Sequence, residues 1–421
     1  MKAESRSVLV VGAGAAGMSS ALELANAGFY VHLLEREAVV GGHAASFPCK
    51  ATDICAGCSA CVVSDKIREV VHNPRIRLLT SSTMRGLRGG PGDFRVRIVQ
   101  EPSHVDAKRC VACGLCTEVC PTDPKAIYMP QADAVPLAHV LDERLCLRWH
   151  GKKCELCREV CPTEAIAFDR KQQEEELTVG AIVVATGFQV FDAREKGSLG
   201  YGRYPNVLTG LDLEHIFRRE GALRLPGGDK EPDRIAFIQC IGSRDEGHVY
   251  CSHVCCKYAM KFAALIKHQR PDAQVTIFYI DLQTAGKGFA RFFEQYKADI
   301  RFVRGVPVEI VQTASGELEV KFEDISLGHV GRDAFDLVVL SVGISPRRDS
   351  WDLARVLGID MAEDGFFDTA TPIGSNETSV SGIFLAGTCQ GPKDIPDSVA
   401  HGTGAASKVM ELLGMPVQAD G

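Results

Sequence analysis

The sequence predicts an α/β protein of two nucleotide-binding-type units, with a cysteine-rich segment inserted into the first. Three observations carry that prediction. The chain opens on a strand, a glycine-rich turn, a helix and a second strand. A further strand–turn–helix pattern begins at RIAFIQCIGSR, and sixteen of the seventeen cysteines fall into four groups of four. At 421 residues the chain has room for two or three cores, and its formal charge of −7 argues against a general nucleic-acid binder. No apolar run approaches the roughly 20 residues of a membrane helix. The charged start MKAESRSVLVVGAG runs straight into a strand with no secretory h-region, so a cytoplasmic protein with reduced thiols is expected.

Ser7 to Glu35 reads SVLVVGAGAAGMSSALELANAGFYVHLLE. In Gly12-x-Gly14-x-x-Gly17, Gly12 permits the tight turn, Gly14 lets backbone approach a pyrophosphate, and Gly17 lets helix and strand pack closely. The helix start at Ala15 and Ala16 offers free N–H groups to phosphate. Glu35, with Arg36 beside it, ends the second strand where an acid can bond a ribose 2′-OH. Gly41-Gly42 follows within a few positions. This segment resembles the FAD domain of glutathione- and thioredoxin-reductase-type flavoproteins. The resemblance extends to GAIVVATGF, with Ala185-Thr186-Gly187, and to GIFLAGTCQGPKDIPDSVAHGTGAAS (Gly382 to Ser407). It implies FAD held by Gly12, Gly14, Ala15, Ala16, Gly17, Glu35, Arg36, Gly42, Ala185, Thr186, Gly187, Gly387, Thr388 and Lys393. Where that family usually has Gly-Asp, this chain has Gly387-Thr388, so a threonine hydroxyl or backbone amides must take the acid's place. The fold expected is therefore two-dinucleotide-binding, thioredoxin/glutathione reductase-like, with an inserted two-cluster ferredoxin domain.

The insert rests on cysteine spacing. Cys110, Cys113, Cys116 and Cys120, followed by Pro121, form C-x2-C-x2-C-x3-C-P, the bacterial ferredoxin run whose fourth cysteine serves a second cluster. Cys146, Cys154, Cys157 and Cys161, followed by Pro162, form the partner run, and both lead into similar stretches, AIYM and AIAF. Crossing the fourth cysteines assigns Cys110, Cys113, Cys116 and Cys161 to one 4Fe–4S cluster. Cys120, Cys146, Cys154 and Cys157 then hold the other. Seven residues separate Cys146 from Cys154 where two are usual, so that loop is enlarged. Structural zinc is the competing reading. The expected limits are 1–102, 172–230 and 346–421 for the FAD domain, 103–171 for the ferredoxin, and 231–345 for the second unit.

In the second unit the turn reads Gln239-Cys240-Ile241-Gly242-Ser243-Arg244, without a second glycine triplet, so ordinary nicotinamide binding is not expected. Cys240, Cys251, Cys255 and Cys256 stand there instead. Val254, Tyr258, Phe262 and Leu265 recur at helical spacing, so Cys251 to His268 is expected to run as, or into, a helix, with Cys251 and Cys255 on one face. Adjacent Cys255-Cys256 diverge on a helix, so one of them must bend to share a metal; buried or redox-active thiols are the alternative.

Across YGRYPNVLTGLDLEHIF (Tyr201 to Phe217), FIQCIGSRDE, YCSHVCCKYAMK, FYIDLQTAGKGFARFF (Phe278 to Phe293) and AGTCQGPKDIPDSV (Ala386 to Val399), the chain closely resembles the heterodisulfide reductase A-type family. The resemblance implies that Cys240, Cys251, Cys255 and Cys256 ligate an unusual 4Fe–4S cluster near the FAD. It implies an oxidoreductase component passing electrons between clusters and flavin, where such a flavin can split an electron pair between a high- and a low-potential acceptor. Partners would be heterodisulfide reductase B- and C-like or other redox subunits, hydrogenase-like or ferredoxin partners. Larger members have an N-terminal cluster domain and a C-terminal ferredoxin, so this sequence is expected to be a short form. The remaining quartet, Cys49, Cys55, Cys58 and Cys61, has the spacing C-x5-C-x2-C-x2-C; a fourth cluster beside the three is expected there, with zinc or free thiols as alternatives. No catalytic triad or general-base constellation is visible. The alternative function is a stand-alone NAD(P)H-dependent flavin reductase feeding a ferredoxin, and a third reading is a zinc-bearing scaffold.

Overall fold

The computed structural model describes residues 7–130, 134–283, 286–372 and 376–415. The first unit begins with β1 (Ser7–Val11), α1 (Ala15–Asn26), β2 (Tyr30–Leu34), α2 (Ala60–His72) and β3 (Ile76–Leu79). Every residue of β1 is buried, as a parallel strand covered on both faces requires. The chain then turns into an antiparallel ribbon, β4 (Ser82–Gly90) and β5 (Asp93–Gln100).

From the end of β5 it leaves for the cysteine-rich insert, which contains α3 (Leu115–Glu118), β6 (Ile127–Tyr128), β7 (Val140–Leu141) and α4 (Leu156–Glu159). It returns as β8 (Gln173–Val179), which pairs with β5, so the insert hangs from two neighbouring strands of one ribbon. The insert repeats itself. Asp106 and Asp142 each accept the N–H two residues on, both at 2.9 Å, and their own N–H groups bond Ala165 O and Ala126 O, both at 2.8 Å. Cys110 and Cys146 each donate N–H to the carbonyl of that aspartate.

After β8, β9 (Ala181–Val184) rejoins the first sheet beside β1. β10 (Gln189–Val190) leads to the second unit: β11 (Val207–Thr209), α5 (Gly210–Glu220), β12 (Arg234–Ile241), α6 (Cys255–Gln269), β13 (Gln274–Tyr279), α7 (Phe289–Tyr296) and β14 (Arg301–Arg304). A three-stranded antiparallel sheet of β15 (Glu309–Gln312), β16 (Leu318–Asp324) and β17 (His329–Phe335) covers it, and β18 (Leu337–Val342) completes the parallel sheet in the order β11-β18-β12-β13-β14. β19 (Ile344–Ser345) pairs with β10 to tie the units together. The chain ends in α8 (Ser350–Leu357), β20 (Ile383–Leu385) and α9 (Ile395–Leu413), which close the first sheet as β20-β9-β1-β2-β3. Among the described residues no helix is long and apolar enough to cross a membrane. This is the two-dinucleotide-binding α/β architecture the sequence predicts.

Two glycines set how tightly the first unit closes. A Cβ on Gly17 would lie 1.8 Å from Gly12 O, and one on Gly402 would lie 2.3 Å from Ala16 O, so α1 presses directly on the turn and on α9. Gly402→Ala should therefore cost about 1–3 kcal/mol by forcing the helices apart. A lowered midpoint in thermal unfolding would show it, against no change for Ser407→Ala on the exposed side of α9.

Candidate functional site

A cavity of about 1190 Å³ lies at the carboxyl ends of β1, β2 and β9, facing the second unit. Gly12, Gly14, Ala15, Ala16, Glu35, Arg36, Gly42, Ala185, Thr186, Gly187, Thr388 and Lys393 all line it. Gly17 and Gly387 do not; they support the wall from behind, and a Cβ on Gly387 would sit 2.6 Å from Ala16 Cβ. A Cβ on Gly14 would meet nothing within 4 Å, so this is where backbone stands open to a ligand. α1 has no side-chain cap, and the buried Thr186 hydroxyl has no hydrogen-bond partner. These features fit an elongated phosphate-bearing dinucleotide. Glu35 accepts N–H bonds from Ala13 (2.8 Å) and Glu37 (2.9 Å), while burial pushes its pKa up. It braces the glycine turn as well as facing the cavity.

The opposite wall comes from α5 and α6. Lys50 meets Glu214 at 2.6 Å, with side chains only 3% and 7% exposed, and its ammonium stands 4.7 Å from the Phe262 ring centroid. Burial pushes Glu214 up to about 7 even with that ammonium beside it. Lys257, directly after Cys256, pairs with Asp394 at 2.9 Å, and Asp394 also caps α9. Lys393 bonds Gln390 Oε1 at 2.5 Å, and burial lowers its pKa. Lys50, Glu214, Lys257 and Lys261 belong to no motif. Glu214, Lys257 and Lys261 lie within stretches that carry the family resemblance, but sequence reasoning gives them no role.

In the insert, burial pushes Cys116 up to about 11 and Cys157 up to about 12. Cys116 is further raised by Cys110 and Cys113, and Cys157 by Cys146, Cys116 and Cys154. Cys120 shares a small cavity with Cys146, Cys154 and Cys157. Cys161, like Cys110, packs at the edge of the core that buries Cys116, Cys120, Cys146 and Cys157. The two fourth cysteines are built alike. Each is followed by Pro-Thr, with the threonine Oγ1 3.3 Å from Cys120 Sγ and 3.8 Å from Cys161 Sγ. Against the upward pull of burial, these hydroxyls and nearby backbone N–H groups lower both thiol pKa values.

In the second unit, α6 begins at Cys255, so Cys251 does not share a helix face with it. Cys251 lies in the preceding loop, with left-handed His253 (φ +62°) between, and His253 N–H points at Cys251 Sγ, 3.4 Å away. Cys255 and Cys256 sit unbent in the first turn and diverge, Cys255 towards Val342 O and Cys256 towards Asp281 O. Electrostatic coupling nonetheless joins Cys255 to Cys240, Cys256 and Cys251. Burial pushes Cys240 up to about 11. The Gln239 amide beside it is 1% exposed, and neither its nitrogen nor its oxygen has a partner. Such buried thiols lose their protons when they take up a metal group. Arg244, paired with Asp281, supplies the adjacent positive charge. Phe191 fills the space above Gly242, where a Cβ would lie 2.0 Å from its ring.

The last quartet is not a buried nest: Cys49, Cys55 and Cys61 are exposed, and Cys58 is half-buried on the cavity wall. Cys389 is buried and donates its S–H to Val184 O at 3.1 Å. Among the described residues no three His, Cys, Asp or Glu side chains converge on a single-ion site, whereas the four ligands of a 4Fe–4S cube each bind a different iron.

Residues 10–69 match the NAD(P)-binding Rossmann-like domain, and residues 104–124 match the 4Fe-4S binding domain. The A subunit of the H(2):CoB-CoM heterodisulfide,ferredoxin reductase of Methanothermobacter marburgensis is 39% identical over 420 residues, covering 95% of this chain and 63% of that protein. The second of the iron-sulfur A subunits of the CoB--CoM heterodisulfide reductase of Methanopyrus kandleri is 42% identical, covering 96% of this chain and 64% of that protein. The chain thus spans under two thirds of the length of these relatives. Thioredoxin reductases of Lactococcus lactis and T. acidophilum share the fold, with TM-scores of 0.54 and 0.52 at 16% identity. The first covers 97% of this chain and 99% of that one, the second 96% and 98%.

Glu214 binds its proton more tightly in the folded chain than in the unfolded one. Its contribution to stability is therefore full below pH 4.5 and lost as pH rises to about 7. Glu214→Gln should flatten the dependence of the urea midpoint on pH across that window. Lys50→Met, which leaves the buried carboxylate without a counter-charge, should cost about 3–5 kcal/mol at neutral pH.

Proposed function

The chain belongs to the heterodisulfide reductase A-type family over the 63–64% of those relatives' length that it spans, and on that footing we propose an electron-transfer flavoprotein with iron–sulfur centres. The observation that carries this reading is one cavity with two kinds of wall. On one side stand the glycine turn, the ATG turn and the last FAD-type motif; on the other stands α6, whose first turn holds Cys255 and Cys256. A cofactor in that cavity would be neighbour to the Cys240 quartet. When bound, FAD takes electrons in pairs and releases them singly, and 4Fe–4S clusters carry them one at a time.

The residues divide the work. Gly14 and the open start of α1 leave room and N–H groups for a pyrophosphate, with Glu35 and Arg36 at the adenosine end and Thr388 where related flavoproteins have an acid. Lys393 brings a half-buried positive charge to the same cavity, and such charges tune a flavin. Cys110, Cys113, Cys116 and Cys161 would hold one cluster, Cys120, Cys146, Cys154 and Cys157 a second, and Cys240, Cys251, Cys255 and Cys256 a third. The domain limits that go with this assignment are 103–171 for the ferredoxin and 231–345 for the second unit. Phe191 above Gly242 supports the view that no nicotinamide cofactor docks on β12. Electrons would then come from, and go to, other redox subunits, of the B- and C-like, hydrogenase-like or ferredoxin kinds. Reduction of a disulfide would take place on such a partner, and splitting of the electron pair at the flavin belongs to the same proposal.

Anaerobic purification of the whole chain tests this. Gly14→Val should lose FAD at least tenfold while keeping its iron. Cys240→Ser/Cys256→Ser should keep FAD and lose about four iron atoms per chain. A wild-type chain without FAD, or one whose flavin NADH bleaches within a turnover, would overturn the reading.

A further inference from the structure

Cys49, Cys55, Cys58 and Cys61 take no part in the three centres above, and their loop has a backbone seen elsewhere in the chain. In the run Cys55-Ala56-Gly57-Cys58-Ser59-Ala60-Cys61, the residues two and four places after the first cysteine are left-handed, Gly57 at φ +61° and Ser59 at φ +60°. In Cys110-Val111-Ala112-Cys113-Gly114-Leu115-Cys116 the same two places are left-handed, Ala112 at +55° and Gly114 at +86°. In both runs the second left-handed residue is the N-cap, the helix starts one residue later, and the third cysteine is the second helical residue. The first helical bond also matches, Val62 N–H to Ser59 O at 3.2 Å and Thr117 N–H to Gly114 O at 2.9 Å. Side chains rarely adopt this conformation, yet Ser59 and Ala112 both do. Residues 55–61 thus repeat both the C-x2-C-x2-C spacing and the backbone of the ferredoxin run.

We propose that Cys55, Cys58 and Cys61, with Cys49 as fourth ligand, form a further 4Fe–4S site set in the wall of the cofactor cavity. The loop is pinned on both sides of its cysteines. Lys50, next to Cys49, is buried in its pair with Glu214, and α2 follows Cys61 directly. Lys261 donates to Gly57 O at 3.0 Å, which sets its buried ammonium beside the backbone between Cys55 and Cys58. An exposed thiol is no bar in the ferredoxin run, where Cys113 is exposed, although here three of the four are. Position also differs. Cys116 is buried in the core of the insert, whereas Cys61 stands on the outer side of α2 and Cys58 on the cavity wall. The site therefore spans from cavity to surface, where a one-electron carrier docked outside would be adjacent to it. The metal site rests on the loop backbone; only this transfer role rests on the cavity being a flavin site.

The full chain, purified anaerobically, should contain about 16 iron atoms and no zinc, and Cys58→Ser/Cys61→Ser should contain about 12 with its FAD retained. Alkylation followed by mass spectrometry reads the same site in the wild type without any substitution. Cys49, Cys55, Cys58 and Cys61 should stay unlabelled until the iron is chelated. About 12 iron atoms in the wild type, one zinc lost with the double substitution, or immediate labelling of Cys49, Cys55 and Cys61 would each overturn the proposal. Absence of FAD beside 16 iron atoms would overturn the flavin reading and leave this site standing.

Discussion

Close approach of backbones around the first glycine turn is the constraint from which the rest of this structure follows. With no side chain at Gly17 and Gly402, α1 lies against the turn after β1 on one side and against α9 on the other. Gly12 lets the strand end turn under Ala185 O, which a Cβ would approach to 2.3 Å. The three segments that meet there come from the beginning, the middle and the end of the chain. Only when they meet do the carboxyl ends of β1, β2 and β9 leave a cavity, and only then does the start of α1 point into it.

Both units supply the electrostatics. Four lysines reach the cavity, and two of them arrive paired: Lys50 with Glu214, and Lys257 with Asp394. A buried ion pair adds little net stability, because desolvation of both charges offsets their attraction. It does hold two surfaces in one relative position, since separating them leaves a charge without a partner. Lys50–Glu214 joins the loop before α2 to α5, and Lys257–Asp394 joins α6 to α9, so each bridges the cavity between units. Cys240, Cys255 and Cys256 are raised by burial and by neighbouring thiols. A positively charged metal core would hold such thiols in their ionised form.

Much of this is legible in the sequence. The glycine turn, the ATG turn and the two ferredoxin runs are local patterns, and each lies in the element or cavity its spacing implies. The start of α6 is not legible in the same way, because the apolar repeat beginning at Val254 says where a helix buries its face, not where its first hydrogen bond forms; left-handed His253 marks that point. Gly17 packs as its place in the motif implies, while Gly387, which the family resemblance counts among the ligand contacts, packs against Ala16. Glu214 and Lys257 stand inside the stretches that carry the family resemblance, but nothing in their neighbours announces a partner 164 or 137 residues away.

By itself, the sequence determined the kinds of chemistry this chain can hold. Spacing of glycines and cysteines is local, and local spacing dictates which backbone can turn and which thiols can face one centre. Only the tertiary structure decided which of those groups meet. It brought Lys50 against Glu214, it set Cys58 on the cavity wall, and it gave residues 55–61 the same left-handed turns as residues 110–116. Such meetings depend on how distant segments pack, and packing responds to volume and charge summed over the whole core, which no short stretch of sequence records.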